Sequence, residues 1–212
     1  MKISKQVLKT TPIITTMVSA QQIEFLLNML EKVLLPEIKG DVLELGCNTG
    51  TTSIFIRKLL DAYKSRKVFY VYDSFEGLPE KTEHDGERFK RRDVAIGPEH
   101  LVNSFRGLNL RIPVINIGWF AEIPDEQYPK KICFAFLDGD FYSSIIDSLN
   151  KIYRKLTPGA IVCVHDYTPG NSKWLPGVEK ACVDFLKDKT ESMQQACMGD
   201  LKINGVGFFI KN

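Results

Sequence analysis

The chain of 212 residues is 44% hydrophobic and 25% charged, and its 28 basic residues nearly balance its 26 acidic ones. This composition is typical of one globular domain with a substantial core, and the charge balance argues against nucleic acid or an anionic membrane surface as a partner. No apolar stretch approaches the roughly 18 residues of a membrane-spanning helix. The N-terminal residues match a signal peptide poorly. The five cysteines are scattered and form no C-x-x-C pair, and both observations favour a reducing, cytoplasmic location.

Short apolar runs alternate with helical periodicity along the chain. The first forty residues predict a helical segment, with apolar positions at helical spacing over 21–35. Beyond them, the predicted strands are 41–45, 67–72, 113–118, 132–137, 160–164 and 206–210, and the predicted helices are 51–63, 143–156 and 176–187. Strands that are apolar on both faces and separated by helices indicate a parallel sheet covered on both sides. The predicted fold class is therefore α/β, a Rossmann-like, doubly wound and mostly parallel sheet in a single domain over 41–212.

One polar segment, 77–109, interrupts this alternation and has only weak periodicity. Loops of such length in a compact domain are usually functional lids or binding loops. We interpret it as a helical excursion that covers the functional site.

Polar and aromatic residues follow the predicted strands, where ligands bind in sheets of this type. The residues concerned are Glu44, Gly46, Asn48 and Thr51 around the first strand end, Asp73 and Ser74 after the second, Trp119 after the third, Asp138 after the fourth, and His165 and Asp166 after the fifth. Because the carboxyl ends of parallel strands share one edge of a sheet, we expect these residues to gather there.

The first turn, ELGCNTG, allows a close backbone approach to a ligand because it contains Gly46 and Gly50. It lacks the G-x-G-x-x-G signature of dinucleotide sites, since Asn48 and Thr51 occupy two of the positions. Asp73 ends the next strand and can accept hydrogen bonds from both hydroxyls of a ribose. A nucleoside ligand without a pyrophosphate, such as S-adenosylmethionine, fits this combination. A plain glycine turn and a turn-forming role for Asp73 are the open alternatives.

We therefore predict a cofactor-binding set whose members stand at the strand ends. It comprises Glu44, Gly46, Asn48, Thr51, Asp73, Ser74, Trp119 and Asp138. Trp119 is included as an aromatic residue that flanks the adenine, with simple packing as the alternative.

The stretch ICFAFLDGD runs from six apolar residues directly into Asp138 and Asp140. A buried carboxylate is costly unless it is paired, hydrogen-bonded or bound to a metal. We expect the apolar run to be a central strand that ends in a cleft, where Asp138 meets a metal or the acceptor. Capping of the helix that begins near Ser143 is the alternative, and Asp140 is closer to that position.

Four stretches together form a specific combination: VYDSFEGLPE (71–80), IGWFAEIPDE (117–126), LDGD-x-Y-x-S from residue 137, and PGVEKACVDF (176–185). The combination resembles class I S-adenosylmethionine-dependent methyltransferases, and more narrowly the macrocin O-methyltransferase family, which methylates sugar hydroxyls in antibiotic biosynthesis. The resemblance covers roughly residues 41–185. It implies S-adenosylmethionine as cofactor and a hydroxyl of a small molecule, such as a sugar or a glycosylated natural product, as acceptor.

The resemblance also implies a divalent metal held by Asp138, His165 and Asp166. The expected ions are Mg²⁺, as is usual in the family, or Mn²⁺. The family commonly has a carboxylate where this chain has His165; magnesium prefers oxygen ligands, imidazole suits zinc, iron, nickel or copper, and manganese is a compromise between the two. Asp138 and His165 are also the candidates to take the hydroxyl proton, because an unperturbed imidazole titrates at about 6.5. The sequence leaves open whether His165 is a base or a metal ligand.

Two other functions remain open at this point. One is a methyltransferase of the same fold that acts without metal on a catechol-like, lipid or amine acceptor. The other is a non-catalytic module that binds the cofactor. The expected partner is a small hydroxylated molecule, and a second copy of the chain is an open alternative.

Overall fold

The computed structural model describes residues 2–170, 174–196 and 205–212. Within these residues, seven strands form one sheet. They are β1 (Asp41–Leu45), β2 (Phe69–Asp73), β3 (Val114–Ile117), β4 (Ile132–Leu137), β5 (Leu156–His165), β6 (Gln194–Gln195) and β7 (Val206–Ile210). The order across the sheet is β3-β2-β1-β4-β5-β7-β6. The first five strands are parallel, whereas β7 runs antiparallel to β5 and β6. The predicted Rossmann-like, doubly wound and mostly parallel sheet is confirmed.

Helices cover both faces of the sheet. They are α1 (Ile3–Thr10), α2 (Ala20–Leu34), α3 (Thr51–Ala62), α4 (Pro98–Gly107), α5 (Tyr142–Ile152) and α6 (Pro176–Leu186), with 3₁₀ turns at Asp125–Gln127 and Tyr153–Lys155. Apolar side chains of α2, α3 and α4 pack in one core, and those of α5 and α6 pack in a second core on the opposite face. No helix in the described ranges is long and apolar enough to cross a membrane.

The central strand β4 shows why the sheet needs apolar residues on both faces. All six of its residues are buried. Phe134 and Phe136 point into the first core, while Ala135 and Leu137 point into the second. Each face of the strand therefore removes apolar surface from water, which is the main favourable contribution to folding.

Several predicted boundaries differ from the structure. The helix predicted over 143–156 ends at Ile152 and continues as a 3₁₀ turn, and β5 begins at Leu156 rather than at residue 160. In the segment 77–109, only α4 is helical, and the preceding residues form turns and bends. Helix α1 lies within the N-terminal segment predicted to be helical, but helical spacing was assigned there only over 21–35, and the short strand β6 was not predicted.

The N-terminal helices are tied to each other by a buried polar contact. The backbone N–H and the hydroxyl of Ser4 in α1 donate to the two carboxylate oxygens of Glu31 in α2, each at 2.8 Å. Both residues are buried, and Tyr63 also donates its hydroxyl proton to Glu31, at 2.9 Å. Burial of the Glu31 carboxylate is therefore compensated by three hydrogen bonds.

Candidate functional site

The carboxyl ends of β1 to β5 open into a cavity of about 630 Å³. This volume lies within the range of about 300–1,000 Å³ that is typical of small-molecule sites. Predicted site residues on its wall are Gly46, Asn48, Asp73, Ser74, Trp119, Asp138, His165 and Asp166. The structure therefore brings together residues that are up to 120 positions apart in the sequence, as the strand-end argument predicts.

Glu44 and Thr51 belong to the predicted cofactor set but do not line this cavity. Both are buried beneath the first loop. The two carboxyl oxygens of Glu44 are hydrogen-bonded to the hydroxyls of Thr52 and Ser53 in the first turn of α3. The geometry gives Glu44 a structural role at the start of α3, and its contact with the cofactor stays a prediction.

Burial strongly perturbs the ionisation of Glu44. Loss of hydration raises its pKa to about 8, the two hydroxyl contacts act in the opposite direction, and the negative charges of Asp138 and Asp73 add to the increase. At neutral pH the protonated form is therefore favoured, as is typical of a carboxyl group without a cationic partner in a protein interior.

The loop after β1 approaches the end of β4 so closely that only glycine fits at position 46. Gly46 has a φ of +88°, and a Cβ atom there would overlap the backbone carbonyl oxygen of Asp138. Gly46 donates its N–H to the carbonyl of Tyr72 at 2.8 Å, and Asp138 donates its N–H to the carbonyl of Leu45 at 2.8 Å. These two hydrogen bonds hold the carboxyl ends of β1, β2 and β4 close together.

Asp73 organises the same loop. Its Oδ2 atom accepts the backbone N–H groups of Cys47 at 2.8 Å and Asn48 at 3.0 Å, and its Oδ1 atom accepts that of Phe75 at 2.8 Å. A carboxylate has about four acceptor positions, so capacity for a further donor remains on the cavity side. The turn-forming alternative is thus correct for Asp73, and it is compatible with the predicted contact to a ribose hydroxyl.

Other parts of the cavity wall come from segments that the strand-end argument does not reach. They are Thr16 and Met17 before α2, Arg88 and Phe89 in the segment 77–109, and Trp174 before α6. The guanidinium carbon of Arg88 lies 3.5 Å from the centroid of a Trp174 ring, which is a cation–π contact. No sequence signal identifies these residues, because loops of this kind have no periodic pattern.

Asp138, His165 and Asp166 form a compact cluster in which one ligand atom from each residue lies within 4.8 Å of the others. The Nδ1 atom of His165 is 2.8 Å from Oδ1 of Asp138 and 3.1 Å from Oδ2 of Asp166. The side chain of His165 is 5% exposed and that of Asp138 is 29% exposed. Asp138 is therefore the member of this pair that is more accessible from the cavity.

The charges in the cluster influence one another. Burial alone would lower the pKa of His165, but the carboxylates of Asp138 and Asp166 outweigh it and hold this pKa well above its ordinary value. Asp140 also lines the cavity, and its pKa is raised well above its usual range by burial and by the charges of Asp138 and Asp166. The imidazole thus offsets part of a local excess of negative charge.

The opposite side of the His165 ring contacts the N-terminal part of the chain. Its Nε2 atom lies 3.0 Å from the carboxamide nitrogen of Gln22, a buried residue in the first turn of α2. Phe136 packs edge-on against the ring, with 6.0 Å between centroids. Gln22 was not predicted as a site residue. The S-x-x-Q pattern formed by Ser19 and Gln22 indicates a helix start but not this contact.

The residues present fit a divalent cation only in part. Asp138 and Asp166 offer oxygen atoms of the kind that Mg²⁺ and Mn²⁺ prefer. The imidazole fits less well, because metal binding through Nδ1 requires the proton to lie on Nε2, and the carboxamide nitrogen of Gln22 faces that atom. The carboxylates therefore match the expected metal, and His165 does not.

Comparisons with known proteins identify O-methyltransferases as relatives of the chain. A 4'-O-methyltransferase of 8-demethyl-8-(2,3-dimethoxy-alpha-L-rhamnosyl)-tetracenomycin C from Streptomyces olivaceus is 32% identical over 163 residues, and demethyldecarbamoylnovobiocin O-methyltransferase from Streptomyces niveus is 30% identical over 162 residues. Each alignment covers 72% of this chain and 62% of the relative, so the aligned part spans less than two thirds of each relative.

Solved structures share the fold. The O-methyltransferase NovP superposes with a TM-score of 0.76 at 22% identity, and the superposition covers 93% of this chain and 82% of the NovP chain. An O-methyltransferase from Bacillus cereus in complex with SAH superposes with a TM-score of 0.63 at 16% identity. This superposition covers 99% of this chain and 89% of the Bacillus cereus protein. The architecture is thus that of class I methyltransferases. The family model of macrocin O-methyltransferase (TylF) matches residues 4–201, and the chain therefore belongs to the macrocin O-methyltransferase family.

Proposed function

We propose that the protein is an S-adenosylmethionine-dependent O-methyltransferase that methylates a hydroxyl group of a glycosylated small molecule. The observation that carries the proposal is a single cavity that unites Asp73 and the loop at Gly46 with the cluster of Asp138, His165 and Asp166. Family membership supports the reaction type. The name of the Streptomyces olivaceus relative, which describes a rhamnosyl tetracenomycin, supports a glycosylated acceptor.

In this proposal, the cofactor occupies the part of the cavity next to β1 and β2. The free acceptor capacity of Asp73 receives a ribose hydroxyl, and the backbone at Gly46 and Asn48 lies alongside the cofactor. Trp119 and Ser74, which line the same cavity, complete its surroundings. The acceptor enters from the side formed by the segment 77–109, as expected for a binding loop.

The chemistry is a direct displacement at the methyl group. The hydroxyl oxygen forms a bond to the methyl carbon while the carbon–sulfur bond breaks. The electron pair of the broken bond stays on sulfur, which gives S-adenosylhomocysteine. Holding the two reactants in line supplies much of the rate. The acceptor hydroxyl must also lose its proton. We propose that Asp138 accepts this proton, because Asp138 lines the cavity and is less buried than His165.

A divalent cation remains part of the proposal. Asp138 and Asp166 would hold it, and when bound it would lower the pKa of the acceptor hydroxyl. Adding EDTA to a turnover assay tests this requirement separately from cofactor binding.

Calorimetry with S-adenosylmethionine, followed by turnover with a panel of acceptors, tests the function. We expect binding of the cofactor and methylation of glycosides in preference to free catechols, lipids and amines. Absence of cofactor binding would overturn the proposal. Binding without turnover of any acceptor in the panel would instead support a non-catalytic cofactor-binding module.

A further inference from the structure

The amide of Gln22 has a defined orientation because a backbone group fixes one end of it. The N–H of Ser19 donates to Oε1 of Gln22 at 2.7 Å, and the N–H of Gln22 donates to the hydroxyl oxygen of Ser19 at 3.2 Å. This reciprocal pair is the capping box of α2. A backbone N–H group is only a donor, so the amide atom that it contacts must be the oxygen. The end of the amide that faces His165 is therefore the NH₂ group.

The carboxylates raise the pKa of His165, but a second proton on Nε2 would point at the NH₂ group of Gln22, and this contact between two donors disfavours the doubly protonated ring. The orientation of the amide therefore determines where the ring carries its single proton. Neutral histidine has one donor nitrogen and one acceptor nitrogen. Because Nε2 of His165 faces the NH₂ group of Gln22 at 3.0 Å, it must act as the acceptor. The proton then lies on Nδ1, which is 2.8 Å from Asp138 and 3.1 Å from Asp166.

We propose that Gln22 is a positioning residue that keeps the proton of the neutral His165 ring on Nδ1, so that His165 donates a hydrogen bond to Asp138 beside Asp166 and is not a metal ligand. A cation in this cluster then has oxygen ligands alone. This arrangement differs from the three-residue ligand set that the family resemblance implies. The inference concerns the protein without cofactor or acceptor, so its tests do not depend on whether the protein transfers a methyl group.

The direct test is ¹⁵N NMR spectroscopy of the histidine rings in the full chain, at a pH at which the His165 ring is neutral. The sequence has three histidines, and spectra of His84→Gln and His100→Gln variants identify the signals of His165. We expect a protonated Nδ1 and an unprotonated Nε2, both before and after addition of Mg²⁺. A proton on Nε2, a doubly protonated ring at every pH at which the chain is folded, or loss of the Nδ1 proton on adding Mg²⁺ would overturn the proposal.

Variants at position 22 test the role of Gln22 itself. Gln22→Met removes the donor, and Gln22→Glu replaces the NH₂ group by an acceptor oxygen. We expect both changes to increase protonation of Nε2. Ser19→Ala is the matched control, because it removes one bond of the same capping box but keeps the Gln22 amide, and the proton should stay on Nδ1. An unchanged proton position in both Gln22 variants would refute the positioning role.

Calorimetry with Mg²⁺ alone tests the ligand set. His165→Asn removes the imidazole, and we expect Mg²⁺ affinity to fall by no more than the roughly 10–100-fold that is typical of losing a group that hydrogen-bonds to a ligand. His165→Asp supplies the carboxylate that the family commonly has at this position, and we expect affinity to increase about tenfold or more, since it adds an oxygen ligand and a negative charge. A loss of well over about 100-fold in His165→Asn would identify His165 as a ligand and contradict the proposal.

Discussion

Replacement of the buried Glu44 by glutamine should change how the stability of the protein depends on pH. The carboxyl group is fully buried, and its pKa is raised from 4.5 to about 8. Between these two values, the unfolded chain has released the proton and the folded chain retains it. The unfolded state then binds fewer protons, so the free energy of unfolding decreases as pH rises through this window.

The expected magnitude follows from the size of the shift. One pKa unit corresponds to about 1.4 kcal/mol, so Glu44 should reduce the free energy of unfolding by about 1.4 kcal/mol per pH unit and by about 5 kcal/mol across the whole window. The amide of the Glu44→Gln variant cannot ionise, while its side chain retains the size needed to contact Thr52 and Ser53. The variant should therefore gain stability relative to the unmodified chain as pH rises, and the difference should level off above pH 8.

Urea unfolding of both proteins at a series of pH values measures this difference. Glu87→Gln is a suitable control, because it removes the same charge from a side chain that is 96% exposed. Groups that titrate far from Glu44 affect both proteins equally and cancel in the comparison. Parallel pH profiles for Glu44→Gln and the unmodified chain would show that Glu44 ionises normally in the folded state, and the reasoning would be refuted.

Three further variants test the cavity. Asp73→Asn should weaken S-adenosylmethionine binding by about 10–100-fold in calorimetry, because hydrogen bonds to a charged group contribute about 1.5–3 kcal/mol; unchanged affinity would contradict a ribose contact. Asp138→Asn should reduce kcat by about 100-fold or more with cofactor affinity retained, and loss of cofactor binding alone would make Asp138 a cofactor contact instead of the base. Gly46→Ala should destabilise the fold by about 1–3 kcal/mol in urea unfolding, since its φ is +88° and its Cβ atom would meet Asp138. Gly107→Ala, whose Cβ atom would have no neighbour within 4 Å, is the control, and equal effects of the two changes would contradict this argument.

The sequence predicts the sheet well where an apolar run has clear ends. The bounds of β1, β4 and β7 are the predicted ones, because each run is flanked by charged or glycine residues. The bounds of β5 differ, because Thr157, Pro158 and Gly159 have the composition of a turn. Pairing of β5 with its neighbours nevertheless extends the strand through these residues.

The cavity is predictable only as far as it is built from strand ends. Asp73, Asp138 and His165 meet because parallel strands place their carboxyl ends at one edge. The contact between Gln22 and His165 joins residues that are 143 positions apart and depends on how α2 packs on the sheet. Local sequence contains no information about such a contact, and the same reason explains why Arg88 and Trp174 were missed.

The imidazole at position 165 changes the charge balance of the cluster as well as its ligands. A third carboxylate beside Asp138 and Asp166 would place like charges within a few ångströms of one another, and such a group is stable only with a bound cation or with raised pKa values. The Nδ1–H group of His165 instead donates to Asp138 at 2.8 Å and lies 3.1 Å from Asp166, so it offsets part of their repulsion without a metal. Because Gln22 maintains this proton position, the cluster of this chain should keep its geometry after metal removal. EDTA treatment should therefore leave the ¹⁵N signals of the His165 ring unchanged, whereas a shift of the Nδ1 signal would show that a cation holds the cluster together.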